Sequence, residues 1–299
     1  MSTPASGAAH GAGKTELVDL PDGRVLQITV SGPADGVPLL WHHGTPGCDY
    51  QSEHKAQEAA KRGLRLVSYA RAGAKASTRH RGRSVADVAA DMAAVLDHLG
   101  ATRCLTGGQS GGGPHALATG ALLPERVAAV IVVCGVRPYG EGFLDGMGQD
   151  NLDEFALALE GEEALTPYLL REREGLLTAD PDTVIATMST LLPEPDRVVL
   201  SGEVGRDLLA NLAGGVESID GWLDDDLAFT RHWGFELEDL SVPVSFWQGS
   251  EDLMVPQSHM PWQAQRVPGA RMHLEDGEGH LSLQVNHFGR MLDEAVASL

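Results

Sequence analysis

Cys104-Leu105-Thr106-Gly107-Gly108-Gln109-Ser110-Gly111-Gly112-Gly113-Pro114 is the stretch on which the fold turns. Cys104 to Thr106 reads as a brief strand and His115 to Leu123 as a helix. Gly108-Gln109-Ser110-Gly111-Gly112 therefore fits G-x-S-x-G at a strand-to-helix turn. A serine there holds its hydroxyl exposed at the carboxyl edge of a sheet, and the flanking glycines let the backbone turn without side-chain clashes. A hydroxyl is a poor nucleophile until a base takes its proton. The rest of the chain has to supply that base, an acid to orient it, and donors for an oxyanion.

Downstream, the apolar run Val242 to Trp247 ends in Gln248-Gly249-Ser250-Glu251-Asp252-Leu253-Met254-Val255-Pro256. An acid just past a strand end lies on the same sheet edge as Ser110. Asp252 is preferred to Glu251, for its place before an apolar residue and Pro256. After a further strand, Asp276-Gly277-Glu278-Gly279-His280 delivers a histidine directly before the last helix. The order serine, acid, histidine suits this architecture, with His280 bonded to both Ser110 and Asp252. His259, His273 and His287 stand outside that loop and read as surface or packing residues. The oxyanion donors are expected to be the backbone N–H of Gly111, at a helix N-terminus, and that of Thr45 in His42-His43-Gly44-Thr45-Pro46-Gly47, after the run Val37 to Trp41.

Around these motifs strands and helices alternate. Thr15 to Leu20 and Arg24 to Val30, split by Pro21-Asp22-Gly23, read as a hairpin. A helix over Ser52 to Arg62 precedes the strand Leu64 to Tyr69. Val85, Val88, Ala89, Met92, Val95, Leu96 and Leu99 recur at helical spacing between the N-cap Ser84 and the stop Gly100. Val127 to Cys134 is almost unbroken apolar sequence, as a strand covered on both faces requires. From Arg137 to about Glu238 the chain is helix-rich and acidic with no comparable strand. It then resumes with Val242 to Trp247, a helix near Gln257 to Arg266, the strand Arg271 to Leu274 and a helix from Leu281 to Val296. The fold class is α/β, a mainly parallel sheet flanked by helices. The division is a tail over 1–13, expected to be disordered, a core domain over 14–136 and 239–299, and a helical cap over 137–238.

The 299 residues carry a formal charge of -20, which argues against nucleic acid and against anionic membrane surfaces. The acidic runs Glu160 to Glu163 and Asp224 to Asp226 read as solvated faces. Cys48, Cys104 and Cys134 are too few and too scattered for a disulfide framework or a metal cluster. Cys104 and Cys134 are expected to be buried thiols, and Cys48, after a glycine-rich loop, an exposed one. The N-terminus lacks a signal pattern and no apolar run spans a bilayer, so a cytoplasmic protein is expected. The oligomeric state has no signature in the sequence.

With His43-Gly44-Thr45-Pro46-Gly47, Gly108 to Gly112, Gly249 to Asp252 and Gly279-His280, the chain resembles the α/β-hydrolase family. The likeness is to the branch of proline iminopeptidase-like peptidases, esterases and lactonases, and extends over about four-fifths of the sequence. The resemblance implies an eight-stranded sheet, a cap between the sixth and seventh strands, and no cofactor. One stretch departs from it. Where many relatives carry an Asp-Arg-Pro-Gly-Tyr-Gly-like turn followed by serine, this chain has Ala70-Arg71-Ala72-Gly73-Ala74-Lys75-Ala76-Ser77. In relatives that turn packs beside the oxyanion loop, so the alanines imply either a looser loop or a wider pocket.

The expected activity is hydrolysis of a small or medium carboxylic ester or lactone through an acyl-enzyme on Ser110. An aminopeptidase is the alternative, with Glu160, Glu162, Glu163 or Glu172 available to hold an α-ammonium. A ligand-binding protein that does not hydrolyse is the further alternative. The cap aromatics Tyr139, Phe143, Phe155, Tyr168, Trp222, Phe229 and Trp233 are expected mostly to pack.

Overall fold

The computed structural model describes residues 13–178, 180, 182, 183, 186, 188 and 190–299. The expected disordered tail, apart from Gly13, lies outside the described residues. β1 (Lys14–Asp19) and β2 (Val25–Ser31) form the antiparallel hairpin, closed at Pro21-Asp22-Gly23 by the Gly23 N–H on the Leu20 carbonyl at 3.0 Å. β2 runs antiparallel to β4 (Leu64–Tyr69). The remaining strands, β3 (Val37–His42), β5 (Cys104–Gln109), β6 (Val127–Val133), β7 (Val244–Gly249) and β8 (Arg271–Glu275), all pair in parallel. The sheet has eight strands in the order β1-β2-β4-β3-β5-β6-β7-β8.

Why the sheet is covered on both faces follows from β6, buried at all seven positions. Its side chains alternate between two cores: Val130 and Val132 enter one, Ala129, Ile131 and Val133 the other. On the first face pack α2 (Val88–His98), through Met92, Val95 and Leu96, and α3 (Gly112–Leu122), through Leu117. On the second pack α1 (Glu53–Ala60), through Ala56 and Ala59, and the last helix, here α10 (Ser282–Val296), through Leu283, Phe288 and Leu292. Each such aliphatic side chain contributes roughly 1.5–3 kcal/mol on burial, so a polar substitution in β6 strikes one core or the other according to its position.

Two boundaries differ from the sequence reading. β5 continues through Gly107 and Gly108 to Gln109, and α3 begins at Gly112 rather than His115. The glycines are strand because their neighbours occupy the space a side chain would need. A β-carbon at Gly108 would strike the Gly112 carbonyl, and one at Gly112 the His42 carbonyl. A glycine run here signals close backbone approach rather than a loop.

Between β6 and β7 lie the helices α4 (Gln149–Glu160), α5 (Glu162–Thr178), α6 (Glu194–Leu200), α7 (Glu203–Gly215) and α8 (Asp220–Phe229). They carry a small core of their own around Leu165, Leu169, Trp222 and Leu223. α9 (His259–Ala264) joins β7 to β8. Cys48 is buried, not exposed, as are the other two cysteines. Among the described residues no helix is long and apolar enough to cross a membrane.

Candidate active site

The carboxyl ends of β3, β5, β7 and β8 feed the loops that carry the candidate residues. Ser110 follows β5 directly with φ +54°, in the left-handed region. A non-glycine residue held there costs about 1–3 kcal/mol, and surroundings must enforce it. They do so at both of its backbone groups. The Ser110 N–H donates to the Val133 carbonyl at 2.9 Å, and its own carbonyl accepts from Gly113 N–H at 3.0 Å, the first bond of α3.

Asp252 is buried after β7, and its two oxygens do different jobs. Oδ1 accepts the backbone N–H groups of Met254 and Val255, both at 2.9 Å, while Oδ2 accepts Gln248 Nε2 at 2.9 Å and His280 Nδ1 at 2.8 Å. Glu251 is exposed. His280 is buried as well. Burial disfavours its charged form, yet the Asp252 charge and hydrogen bond, with help from Asp196, outweigh this and raise its pKa. Of the two bonds expected of His280, the structure forms the one to Asp252 through Nδ1; the one to Ser110 is not formed, although both residues line one cavity. The competing histidines are occupied elsewhere. His259 Nε2 meets the Phe143 carbonyl at 2.8 Å, His273 stacks on Trp247, and His287 pairs with Glu278.

The cavity measures about 400 Å³ and is lined at its base by Gly44, Thr45, Ser110, Gly111 and His280. Thr45 and Gly111 are neighbours, since a β-carbon on Gly111 would run into the Thr45 hydroxyl. The loop that carries Thr45 is tied down by Arg71, the arginine of the altered turn. Its guanidinium donates to the carbonyls of His43 at 2.7 Å and Gly44 at 3.0 Å and to Thr45 Oγ1 at 3.0 Å. Ala70, Ala72 and Ala74 are buried, and Ser77 Oγ donates to the Ala70 carbonyl at 2.6 Å. The turn is thus packed tight and does not loosen the loop that carries Thr45.

Arg71 is balanced by Asp225 of α8, a residue the sequence reading assigned to a solvated face. Asp224, Asp225 and Asp226 are all buried. For Asp224 and Asp225 the reason is a set of arginines distant in sequence. Arg79 pairs with Asp224 at 2.9 Å, while Asp225 accepts Arg71 at 2.6 Å, Arg83, and Thr45 Oγ1 at 2.6 Å. Burial penalises the Asp225 charge, but Arg71 and Arg83 hold its carboxyl far below the usual carboxylate range. Losing one member of a buried ion network leaves the others uncompensated, at a cost of about 3–5 kcal/mol. Asp225→Asn is therefore expected to lower unfolding free energy by that amount in urea titrations. The sign with pH follows from the depressed value. The contribution of Asp225 is present above the unfolded carboxylate pKa of about 4 and is lost as pH falls through the lower folded value, a slope the variant should lack.

Higher in the cavity the wall turns acidic and aromatic. Asp226, Glu154, Glu172, Tyr168, Trp222 and Phe155 line it. Of the four glutamates considered for an ammonium, only Glu172 stands there. Glu162 pairs with Arg81 at 2.8 Å, and Glu160 and Glu163 are exposed. Trp222 Nε1 donates to Glu154 Oε1 at 2.6 Å, while Asp226 Oδ2 is buried without a hydrogen-bond partner. Burial and the adjacent Glu154 push the Asp226 carboxyl well above its ordinary value. Most cap aromatics pack as expected, although Phe155, Tyr168, Trp222 and Phe229 also face the cavity, and Tyr139 is exposed.

One His/Cys/carboxylate cluster with metal-like spacing stands among the described residues: Cys134, Asp252 and His280, with ligand atoms within 4.8 Å of one another. Its donors are already engaged. Nδ1 of His280 and Oδ2 of Asp252 bind each other, and burial beside Asp252 pushes the Cys134 thiol well up, keeping it protonated.

A mostly parallel eight-stranded sheet with a serine elbow after β5 and a buried acid–histidine pair after β7 and β8 defines a hydrolase of the α/β type. The family model described as alpha/beta hydrolase fold matches residues 37–286, and the chain belongs to that family. A non-heme chloroperoxidase from Streptomyces lividans is 28% identical over 264 residues, covering 83% of this chain and 87% of the relative. A hydrolase from Pseudomonas aeruginosa superposes with TM-score 0.69 at 19% identity, covering 96% of this chain and 98% of that one. An esterase from Exiguobacterium antarcticum gives TM-score 0.68 at 20% identity, with 96% and 99% covered.

Proposed function

We propose that the chain is a serine hydrolase of small or medium carboxylic esters or lactones, working through an acyl-enzyme on Ser110. The observation that carries this reading is the 2.8 Å contact of His280 Nδ1 with Asp252, in a histidine that shares its cavity with an elbow serine. His280 Nε2 takes the Ser110 proton as Oγ bonds to the substrate carbonyl carbon. The carbonyl oxygen becomes an oxyanion held by the N–H groups of Thr45 and Gly111. When the carbon–oxygen bond to the leaving alcohol breaks, the alkoxide receives the proton from Nε2. Water then attacks the acyl carbon, gives its proton to Nε2, and Ser110 leaves with it. Donors placed for the developing charge do most of the work, and no resident cofactor is required. The fold shared with the Exiguobacterium antarcticum esterase agrees with the ester reading.

A second reading rests on two observations. The acidic wall of Asp226, Glu154 and Glu172 suits a cationic group, and an unpartnered buried carboxyl oxygen suits an ammonium donor. That is the aminopeptidase alternative, with different acids from those the sequence suggested. Labelling with a fluorophosphonate, alongside p-nitrophenyl esters and aminoacyl anilides, tests both. The unaltered chain should label and His280→Ala should not. Faster turnover of the esters supports the first reading, and of the anilides the second. Folded protein that binds ligands without labelling would instead indicate a binding protein.

A further inference from the structure

We infer that Asp196, on α6 between β6 and β7, is a positioning residue for His280, clamping the histidine loop to the inserted helices. Its carboxylate is fully buried and accepts three consecutive backbone N–H groups: His280 on Oδ2, and Leu281 and Ser282 on Oδ1, each at 2.9 Å. These are the opening amides of α10, which need acceptors from outside the helix. The chain does not provide them locally. Leu281 at the N-cap has no accepting side chain, and Ser282 Oγ is taken by Gly279 N–H at 2.8 Å. The cap is delivered instead from 84 residues away in sequence. The approach is close enough that any side chain on Gly279 would strike the Asp196 carboxylate.

Burying a carboxylate costs several kcal/mol unless it is well bonded, and a serine or asparagine at position 281 would cap the helix more cheaply. What the remote acid adds is dependence: the His280 backbone is fixed only when α6 is docked. A second contact runs the same way. Leu192 and Leu200 of the insertion form a small apolar cluster with Leu281, with Met188, Leu208 and Met254 packed against it. Met188, Leu208, Met254 and Leu281 also line the cavity. A substrate seated there touches the same cluster that holds the histidine loop.

The inference rests on the triad reading for its catalytic consequence. The groups facing His280 are Asp252 from the loop after β7, Asp196 from α6, Ser110 from the elbow and the neutral Cys134 thiol from the end of β6. Both carboxylates favour its charged form. Asp196→Asn removes one negative charge and one good acceptor while keeping the shape. Expected results are a kcat per fluorophosphonate-titrated site at least tenfold lower, KM within about threefold, and an acid limb of kcat/KM moved to lower pH. An unchanged kcat per titrated site with an unmoved acid limb would reduce Asp196 to ordinary packing and overturn the proposal. Amide hydrogen exchange by NMR on the unaltered chain decides the clamp even where the variant does not fold. Slow exchange at His280, Leu281 and Ser282 supports it, and exchange at the rate of an exposed loop refutes it. Ser110→Ala run in parallel separates the two ideas. Equal turnover in that variant would sink the triad reading, while the exchange measurement still judges the clamp.

Discussion

Ser110→Ala is expected to reduce kcat on the order of 10⁶-fold, since a triad nucleophile acts as a unit with its base. Binding should survive, because the cavity keeps its walls and loses one oxygen. Stability should also hold. Ser110 sits at φ +54°, and an alanine β-carbon meets the same strain as the serine one, so nothing is relieved or added. The backbone bonds to Val133 and Gly113 do not involve the hydroxyl. A residual rate above that in water is consistent with the oxyanion donors remaining in place. Steady-state turnover and a thermal melt on the same preparation check both halves. Turnover within tenfold of the unaltered chain would remove Ser110 from the chemistry.

The second large effect is at Asp252. Asp252→Asn is expected to cost on the order of 10⁴ in kcat with KM nearly unchanged. An asparagine can keep its oxygen toward the Met254 and Val255 N–H groups. Its NH₂ must then replace the oxygen that now accepts from His280 Nδ1 and from Gln248 Nε2. A donor facing Nδ1 forces the ring proton onto Nε2, and a protonated Nε2 cannot take the Ser110 proton. Gln248 is also pinned to the Val255 carbonyl at 2.9 Å, which limits its escape from the donor-to-donor clash. Glu251→Gln, on an exposed side chain, is expected to change kcat less than twofold. Reversed losses in these two variants would place the acid one residue earlier.

Much of this site was legible because each motif is local. The elbow needs glycine beside Ser110, the acid needs a strand end before it, and the histidine needs a loop before the last helix. The strand β6 announced itself because a strand covered on both faces tolerates almost no polar side chain. The misread residues are those whose meaning depends on a distant partner. Asp224 and Asp225 look like a solvated helix face until Arg71, Arg79 and Arg83 are brought against them, and Asp226 until the cavity is closed around it. Cys48 follows a glycine loop, yet α7 closes over it, with Gly214 at close approach to its sulfur. Asp196 carries no local signal at all, since its partners are backbone amides that any sequence would present.

Local periodicity and turn chemistry by themselves determined the α/β class and the tight turn at Ser110, and they pointed to Asp252 and His280 as its proposed partners. Those features rest on interactions within a few residues. Which carboxylates face the cavity, and which aspartates brace the loops that carry Thr45 and His280, was decided only in three dimensions. A charge keeps its sign in the sequence, but whether water or a buried arginine or amide satisfies it depends on what the fold packs beside it.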